Sequence, residues 1–220
     1  MASFPRSGNA FLRVILRWMH GIASYTSYHG EGFSQTWDGP LPPPATGLRT
    51  ARLEDLVFMK THELRAADNP TPAVYLVRDG RDVYVSYAHF AMQSDPGGYP
   101  GMSYADVLRM LIESRDHFGG WSGHVEAWTR RSAPTAILRF EDMLADPAGA
   151  AARACTQLGL SLPPPSGRAP SFAELKAWDP QSFRKGKAGS WKEEMSPGLE
   201  QLFWTLHGPT MTRLGYRRDG

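Results

Sequence analysis

Three short, mostly aliphatic runs of sequence constrain the fold of this chain more than any other feature. They are VFMKTH, AVYLVRD and TAILRF, at residues 57–62, 73–79 and 135–140. Each has the length and the β-branched or aliphatic content of a buried strand. The sequence therefore predicts a buried sheet that contains these runs.

Apolar residues recur at helical spacing between and around the three runs. We expect helices at residues 10–23, 80–92 and 103–118, and a fourth that starts after Asp146-Pro147 and ends at Gly159. Ser103 is placed to cap the third of them, and in the first helix the apolar spacing leaves Arg13 and Arg17 outside. The order strand, helix, strand, helix predicts a single α/β domain, residues 1–220, with a mostly parallel central sheet flanked by helices.

Composition excludes several classes of protein. The 220 residues are 41% hydrophobic and 21% charged with a net charge of +2, a balance that calls for neither nucleic acid nor an anionic membrane as partner. The lone Cys155 excludes an intrachain disulfide and favours a reducing compartment. No apolar run approaches the roughly 20 residues that span a bilayer. Because Arg6 and Arg13 also interrupt any signal-peptide core, we expect a cytoplasmic protein.

The stretch SFPRSGNAFLR, residues 3–13, combines a tight turn with the start of a helix. Backbone N–H groups at a helix N-terminus suit an anion, phosphate above all, and the turn adds Arg6, Ser7 and Gly8. The stretch does not match the nucleoside triphosphate loop G-x-x-x-x-G-K-[ST], and plain turn chemistry is the alternative. Only ASF precedes the turn, so the first strand is short or the chain begins upstream of Met1.

A second polar cluster, Lys60 and His62, ends the run at residues 57–62. Alternation along a strand places these two side chains on the same face. A histidine can act as a general base toward a hydroxyl, and the ammonium can stabilise negative charge on a transferred group. The alternative is an exposed lysine beside a hydrogen-bonded loop histidine.

A third cluster follows the strand AVYLV. Arg78 ends the strand and Ser86 lies in the next helix, so that a guanidinium and a hydroxyl form a receptor for a terminal phosphate. We expect Asp82 to be structural and to tie down the start of the helix. Asp79 could instead be a magnesium ligand after a strand, as in nucleoside triphosphatases.

The fourth cluster is the basic segment FRKGKAGSWK, residues 183–192. Gly186 and Gly189 allow the backbone to approach a ligand closely, whereas Trp191 is expected to be a packing anchor. A solvated basic loop is the alternative interpretation.

Taken together and in this order, these segments resemble the cytosolic-type sulfotransferases. That family moves a sulfuryl group from 3′-phosphoadenosine 5′-phosphosulfate (PAPS) to an acceptor hydroxyl or amine. SFPRSGNAF is similar to its phosphosulfate loop, KTHEL to its Lys-Thr-His strand, and RDGRDVYVSYAHF to its 3′-phosphate motif. FEDM and FRKGKAGSWK resemble two later motifs, so the resemblance covers residues 3–192.

The resemblance implies a role for each matching position. The loop would hold the 5′-phosphosulfate through Arg6, Ser7, Gly8, Asn9 and Ala10. The 3′-phosphate would be clamped by Arg78, Ser86, Arg184, Lys185 and Gly186. Phe11, Phe140 and Phe172 would surround the adenine. His62 would take the acceptor's proton while Lys60 and Arg6 stabilise charge, without any metal.

Several positions depart from the family pattern. Arg6 replaces a lysine, Asn9 and Ala10 replace two threonines, Phe11 replaces a tryptophan, and Ser190 stands where an acid is usual. These departures point to a bacterial branch of the family. The family's C-terminal dimerisation motif is not recognisable, so the sequence leaves the oligomeric state open.

Two other functions compete with this interpretation, and the acceptor is open. A metal-dependent kinase would use Arg6, Ser7 and Asp79, but it gives no role to Lys60 and His62. A catalytically inactive nucleotide-binding protein would not need His62. The acceptor is expected to be a small molecule, apolar or aromatic in character or a bulky natural product. Its cleft is expected to be lined by Tyr25, Tyr28, Phe33, Trp37, Phe90 and Tyr99.

Overall fold

The computed structural model describes residues 1–28, 31–34, 56–114 and 118–219. In chain order its strands are β1 (Ala2–Ser3), β2 (Ser24–Tyr28), β3 (Glu31–Ser34), β4 (Phe58–Lys60), β5 (Ala73–Val77) and β6 (Thr135–Arg139). Its helices are α1 (Asn9–His20), α2 (Gly80–Ser94), α3 (Tyr104–Glu113), α4 (Gly120–Thr129), α5 (Phe140–Ala145), α6 (Pro147–Thr156), α7 (Phe172–Trp178), α8 (Trp191–Glu194) and α9 (Pro197–Arg213), with a 3₁₀ turn at Arg65–Asp68.

The strands form a mostly parallel sheet, as the sequence predicts. Strands β1, β5 and β6 pair in parallel in that order, and β5 and β6 match residue for residue from Ala73 opposite Thr135. A second group has the order β3-β2-β4, in which β2 and β4 are parallel and β3 is antiparallel. A parallel bridge between Ala2 and Thr61 joins the two groups, so the parallel order is β2-β4-β1-β5-β6.

Strand β5 is buried on both faces, and its alternating side chains belong to two hydrophobic clusters. Tyr75 and Val77 pack with residues of α2, α3, α4 and α9. Val74 and Leu76 pack with residues of α1 and α6 on the other face. Helices on both faces of a central parallel sheet confirm the predicted α/β architecture. Among the described residues, no helix has both the length and the apolar character that a membrane crossing requires.

The elements predicted from the sequence are present, most of them with shorter bounds, and one detail of α1 is wrong. Ser103 caps α3 and forms a reciprocal capping box with Asp106. Arg13, however, does not lie on an outer face, because β2 packs beside α1 and covers it. Its side chain is buried and its Nε donates to the Ser24 hydroxyl at 2.9 Å. A pairing between β2 and a distant strand is invisible to helical periodicity.

Candidate active site

The carboxyl ends of the parallel strands open onto a cavity of about 1100 Å³. Its wall is contributed by the turn after β1, the residues that follow β4 and β5, the middle of α2, and the segment between α7 and α8. In parallel α/β sheets this edge is where ligands bind, because the loops there converge from several strands. The cavity is the candidate active site.

The turn after β1 exposes the N-terminus of α1 to this cavity. Gly8, at φ 103°, is the residue before α1, and in the described part of the chain no side chain accepts a hydrogen bond from the first amides of the helix. A Cβ at Gly8 would lie 2.6 Å from the Phe140 ring. Asn9, Ala10 and Phe11 all line the cavity. An uncapped helix start leaves backbone N–H groups available to an anion. Ser7 is not among the lining residues, and its buried hydroxyl has no hydrogen-bond partner among the described residues.

Arg6 crosses the cavity from this turn. Its Nε donates to the Ser86 hydroxyl at 3.3 Å and its Nη2 to the Gln181 carbonyl at 2.8 Å. The guanidinium also lies over the Phe90 ring, 4.6 Å from its centroid. Burial, with a smaller contribution from Arg78, lowers the pKa of Arg6 to about 10, so it is still a cation at neutral pH. Arg6 thus contacts Ser86, a residue that the resemblance assigns to the other phosphate.

His62 has a defined tautomer. Its Nδ1 lies 2.6 Å from the Ser3 backbone carbonyl, and because a carbonyl only accepts, Nδ1 carries the proton. The opposite nitrogen, Nε2, is then the unprotonated one. Protein atoms enclose the ring and part of it lines the cavity. That enclosure, and then the charge of Lys60, lowers the pKa of His62 well below 6.5, so the imidazole is neutral at pH 7.

Lys60 is the last residue of β4 and lines the same cavity as His62. Its side chain is buried, and β2 places Thr26, another lining residue, opposite it in the sheet. A buried cation beside a neutral imidazole can stabilise negative charge that forms near the histidine.

Arg78, directly after β5, forms another part of the wall. Its guanidinium lies over the Phe140 ring, 4.4 Å from the centroid, and donates to the backbone carbonyls of Arg6 and Lys187 at 3.4 and 3.2 Å. Its buried Nε has no hydrogen-bond partner among the described residues. Burial lowers the pKa of Arg78, against an opposing effect of Asp82. Arg78 therefore offers an unused donor beside the cavity.

Asp82 holds the late basic segment against α2. Its carboxylate accepts from the Gly189 amide at 2.7 Å, the Ser190 hydroxyl at 2.9 Å and the Trp191 amide at 3.0 Å. The expectation that Asp82 ties down the start of α2 is wrong, because Asp79 caps that helix through the Arg81 amide. Asp82 is structural, and it fixes where residues 183–192 lie.

Arg184, Lys185 and Gly186 line the cavity, and the two cations are paired with carboxylates. Arg184 donates to both oxygens of Glu194 at 2.9 Å, and Lys185 contacts Glu194 at 2.8 Å and Glu193 at 2.9 Å. The predicted basic segment ends at Lys192 and leaves out these glutamates, which follow directly in the sequence.

A Cβ at Gly186, at φ 61°, would come 2.0 Å from the Phe172 ring. Only glycine fits between this turn and the aromatic side chain that was expected at the adenine.

Asp79 is not available as a magnesium ligand. Arg81 occupies both of its carboxylate oxygens, at 3.0 Å through Nε and 2.7 Å through Nη2, and its amide adds a third contact at 2.9 Å. Within the described ranges, no group of three or more histidine, cysteine or carboxylate side chains is arranged to hold a metal ion. The kinase alternative has no support from these residues.

The predicted aromatic residues divide into those inside the cavity wall and those outside it. Phe11, Phe90, Phe140 and Phe172 line the cavity, together with Tyr87, Phe118, Trp178 and Phe183, which the sequence reading missed. Tyr25 and Tyr99 do not. In β2 it is Thr26 that faces the cavity, so its neighbour Tyr25 points the other way, and Tyr99 packs against the core of α2 and α3. The side chains of Tyr28 and Phe33, and all of Trp37, lie outside the described residues.

Comparison with known proteins identifies the family. The family described as "Sulfotransferase domain" matches residues 1–215. Sulfotransferase 1B1 of Canis lupus familiaris is 26% identical over 167 residues, covering 67% of this chain and 54% of the relative. Sulfotransferase 1A1 of Rattus norvegicus is 24% identical over 263 residues, covering 99% and 85%. This chain thus spans about half the length of the first relative and most of the second.

Two solved structures share the fold. Mouse sulfotransferase SULT7A1 complexed with PAP, adenosine 3′,5′-bisphosphate, has a TM-score of 0.63 and 18% identity, covering 94% of this chain and 83% of that one. Retinol dehydratase in a complex with retinol and PAP has a TM-score of 0.60 and 19% identity, covering 96% and 80%. The bacterial branch indicated by the departures stays a prediction. The match over nearly the whole sequence shows that this chain belongs to the sulfotransferase family.

Proposed function

We propose that this chain transfers a sulfuryl group from PAPS to a hydroxyl group of a small-molecule acceptor. The observation that carries the proposal is the composition of one cavity wall. A neutral histidine of defined tautomer, His62, lies there with two separate groups of anion-binding atoms, one at the start of α1 and one around Arg78 and Arg184. Two such groups suit a donor that is anionic at both ends.

Unused polar atoms support the fit of that donor. At one end, the uncapped amides of α1 would receive the 5′-phosphosulfate, with Arg6 beside them. At the other end, the Nε atoms of Arg78 and Arg184 are buried without a hydrogen-bond partner among the described residues, and Ser86, on α2, lines the cavity. A buried hydrogen-bond donor without an acceptor lowers the stability of the fold unless a ligand supplies the acceptor. These groups would hold the 3′-phosphate.

The space between the two anion sites is lined by aromatic rings. Phe11, Phe140 and Phe172 line the cavity, and Phe140 already stacks on Arg78. Aromatic side chains pack favourably against a flat purine ring. We assign the adenine of the donor to this part of the cavity.

The transfer step follows from the state of His62. Its Nε2 would accept the proton of the acceptor hydroxyl as the oxygen attacks sulfur and the bond to the bridging phosphate oxygen breaks. Lys60 would stabilise the negative charge that develops on the sulfuryl and bridging oxygens. The residues of the wall otherwise hold the reactants in line, which is the main contribution of protein groups in the related phosphoryl transfers.

The acceptor side of the cavity favours an apolar or aromatic alcohol. Phe90, Tyr87 and Phe118 line it, and the Phe118 ring meets the His62 ring edge to face at 6.3 Å. Retinol dehydratase, which shares the fold, has been solved with retinol and with androsterone. We propose a small apolar or phenolic hydroxyl compound as the acceptor class, to be bound against these three rings.

Radiolabelled PAPS tests the function directly. The protein is incubated with the labelled donor and a panel of phenols, alcohols, amines and saccharides in the presence of EDTA, and PAP binding is measured by calorimetry. We expect labelled product from at least one hydroxyl acceptor and metal-independent PAP binding. Phosphoryl transfer from ATP that requires magnesium, with no PAP binding, would overturn the proposal.

A further inference from the structure

A buried hydrogen-bond chain lies behind His62 and is not used by the proposed mechanism. His124, on α4, is completely buried, and its Nε2 lies 3.0 Å from the His62 backbone carbonyl. Its Nδ1 lies 2.9 Å from the hydroxyl of Tyr75, which is equally buried in β5. These hydrogen bonds thus connect Tyr75 in the sheet, through His124 on α4, to the backbone of the candidate general base His62.

The direction of each hydrogen bond in this chain is fixed. A carbonyl only accepts, so Nε2 of His124 carries the proton and donates to His62. Burial lowers the pKa of His124 to about 4, so the ring is neutral at pH 7 and its Nδ1 must accept. Tyr75 is therefore the donor to Nδ1. Its ring also stacks on His124, with centroids 5.7 Å apart.

The position of His62 explains why such a chain matters. Strand β4 ends at Lys60, so His62 lies beyond the strand and its carbonyl is outside any ladder. The side chain of His62 is held at Nδ1 by the Ser3 carbonyl, and its backbone is held by His124. A general base must keep its acceptor nitrogen within hydrogen-bond distance of the substrate proton, so both attachments affect the reaction.

We propose that His124 and Tyr75 are positioning residues that hold the His62 backbone so that its imidazole keeps the orientation needed for proton transfer. The inference rests on the proposed function, in which His62 is the base. It adds two residues that do not line the cavity and would not touch the donor or the acceptor. Residues that orient metal ligands change affinity or activity by about 10- to 100-fold when they are removed, and we expect an effect of that size here.

The core contains a matched pair that serves as the control. His207, on α9, is also buried, and burial lowers its pKa to about 4. It has one carbonyl partner, Ile112 at 3.2 Å, and one hydroxyl partner, Ser122 at 2.8 Å. Its ring lies 5.4 Å from that of the buried Tyr84. Neither control residue lines the cavity, so their loss should affect stability alone.

The experiment compares His124→Leu with His207→Leu. Both should lower the urea midpoint, but only His124→Leu should reduce kcat, by about 10- to 100-fold, with PAP affinity within about twofold of wild type. In nucleotide-free protein, histidine NMR should show the pKa of His62 moving up toward 6.5 only in His124→Leu. His124→Gln, whose amide can donate where Nε2 did, should recover most of kcat.

Tyr75→Phe and Tyr84→Phe form a milder second comparison if His124→Leu does not fold. Each removes one hydroxyl and keeps the packing, and only Tyr75→Phe should lower kcat, by several-fold. The proposal is overturned if His124→Leu and Tyr75→Phe each match their control variant in kcat and in the pKa of His62. Tyr75→Phe leaves the His124 ring in place, so a change of the His62 pKa in that variant reports on position and not on the loss of His124, and it does not depend on turnover.

Discussion

The two ends of the cavity are organised by different interactions. At one end His62 is neutral and half-buried, its Nδ1 donates to the Ser3 carbonyl, and its own carbonyl accepts from His124. At the other end Arg184 and Lys185 are partly exposed cations whose partners are the carboxylates of Glu193 and Glu194. One end is oriented by uncharged hydrogen bonds, and the other by ion pairs.

This difference predicts that the two ends of the cavity control different quantities, the rate of transfer at the His62 end and the affinity for nucleotide at the Arg184 end. Neutral hydrogen bonds to buried carbonyls fix an orientation before any ligand arrives, so changes at the His62 end should act on the rate of reaction. Ion pairs at a partly exposed site are weak and exchange readily, so an arriving phosphate competes there with the glutamates. Changes at the Arg184 end should act on nucleotide binding. Substitutions at each end test this division.

The largest expected effect is that of His62→Gln on turnover. The variant keeps a polar side chain but has no group that accepts a proton near neutral pH, so kcat should fall by about 10²- to 10⁴-fold. PAP affinity, measured by calorimetry, should stay within about twofold. A parallel loss of PAP affinity would place His62 in the donor site and would break the comparison.

Arg78→Met should give the next largest effect, on binding. Methionine can still pack on Phe140, but the guanidinium donors are lost, so PAP should bind about 10- to 100-fold more weakly because hydrogen bonds to charged groups contribute about 1.5–3 kcal/mol. Adenosine 5′-monophosphate, which lacks the 3′-phosphate, should lose less than about twofold. Equal losses for the two nucleotides would mean that Arg78 does not distinguish the 3′ end.

Much of the candidate site could be predicted because it follows local rules. Lys60 and His62 are two residues apart at the end of an apolar run, and Arg78 directly follows another, so strand alternation and parallel topology predict that they share one edge. The opening turn is likewise local, since Arg6, Ser7 and Gly8 directly precede a helix. Spacing along the chain was sufficient for these residues.

The remaining residues depend on contacts between distant segments. His124 is 62 residues from His62 along the chain, and in a helical pattern it has no feature that separates it from a core histidine. Glu194 follows the basic segment 183–192 in the sequence and forms an ion pair with Arg184 in that segment. Tyr25 points away from the cavity because of the pairing of β2 with β4. Such details are set by tertiary packing, which no local pattern of apolar residues records.

The buried histidines predict a pH-dependent stability. Burial lowers the pKa of His124 and of His207 to about 4, whereas the unfolded chain titrates near 6.5. The unfolded state therefore binds more protons below pH 6.5, and stability is present above that pH and is lost as pH falls toward 4. At pH 5 the loss should be about 2 kcal/mol for each of these two residues.

Urea unfolding at pH 7 and pH 5 measures this loss. The variant His207→Leu, less stable at pH 7, should lose about 2 kcal/mol less than wild type between the two pH values, because one of the histidines that are neutral only in the folded state is gone. Equal stability of wild type at pH 7 and pH 5 would contradict the buried neutral state. Glu194 should not contribute to the change in stability between pH 7 and pH 5. Burial alone would raise its pKa, but hydrogen bonds from Arg184 and Lys185 outweigh that effect and lower its pKa to about 2.

The smallest expected effect concerns Glu194 itself. Because its carboxylate holds Arg184 at both oxygens, Glu194→Gln should free that guanidinium and tighten PAP binding by about 2- to 5-fold, the range of a partly exposed charge pair. Glu193→Gln is the matched control. Its partners Lys185 and Lys187 are more exposed than Arg184, so calorimetry should show a change of less than about twofold.

The sign of the Glu194→Gln result is what sharpens the comparison between the two ends. Tighter binding means that the carboxylate competes with the 3′-phosphate, and the difference from wild type should shrink as salt screens both interactions. Weaker binding would mean that Glu194 orients Arg184 as the Ser3 carbonyl orients His62. The basic end would then be as organised before ligand binding as the histidine end, and the contrast between them would disappear.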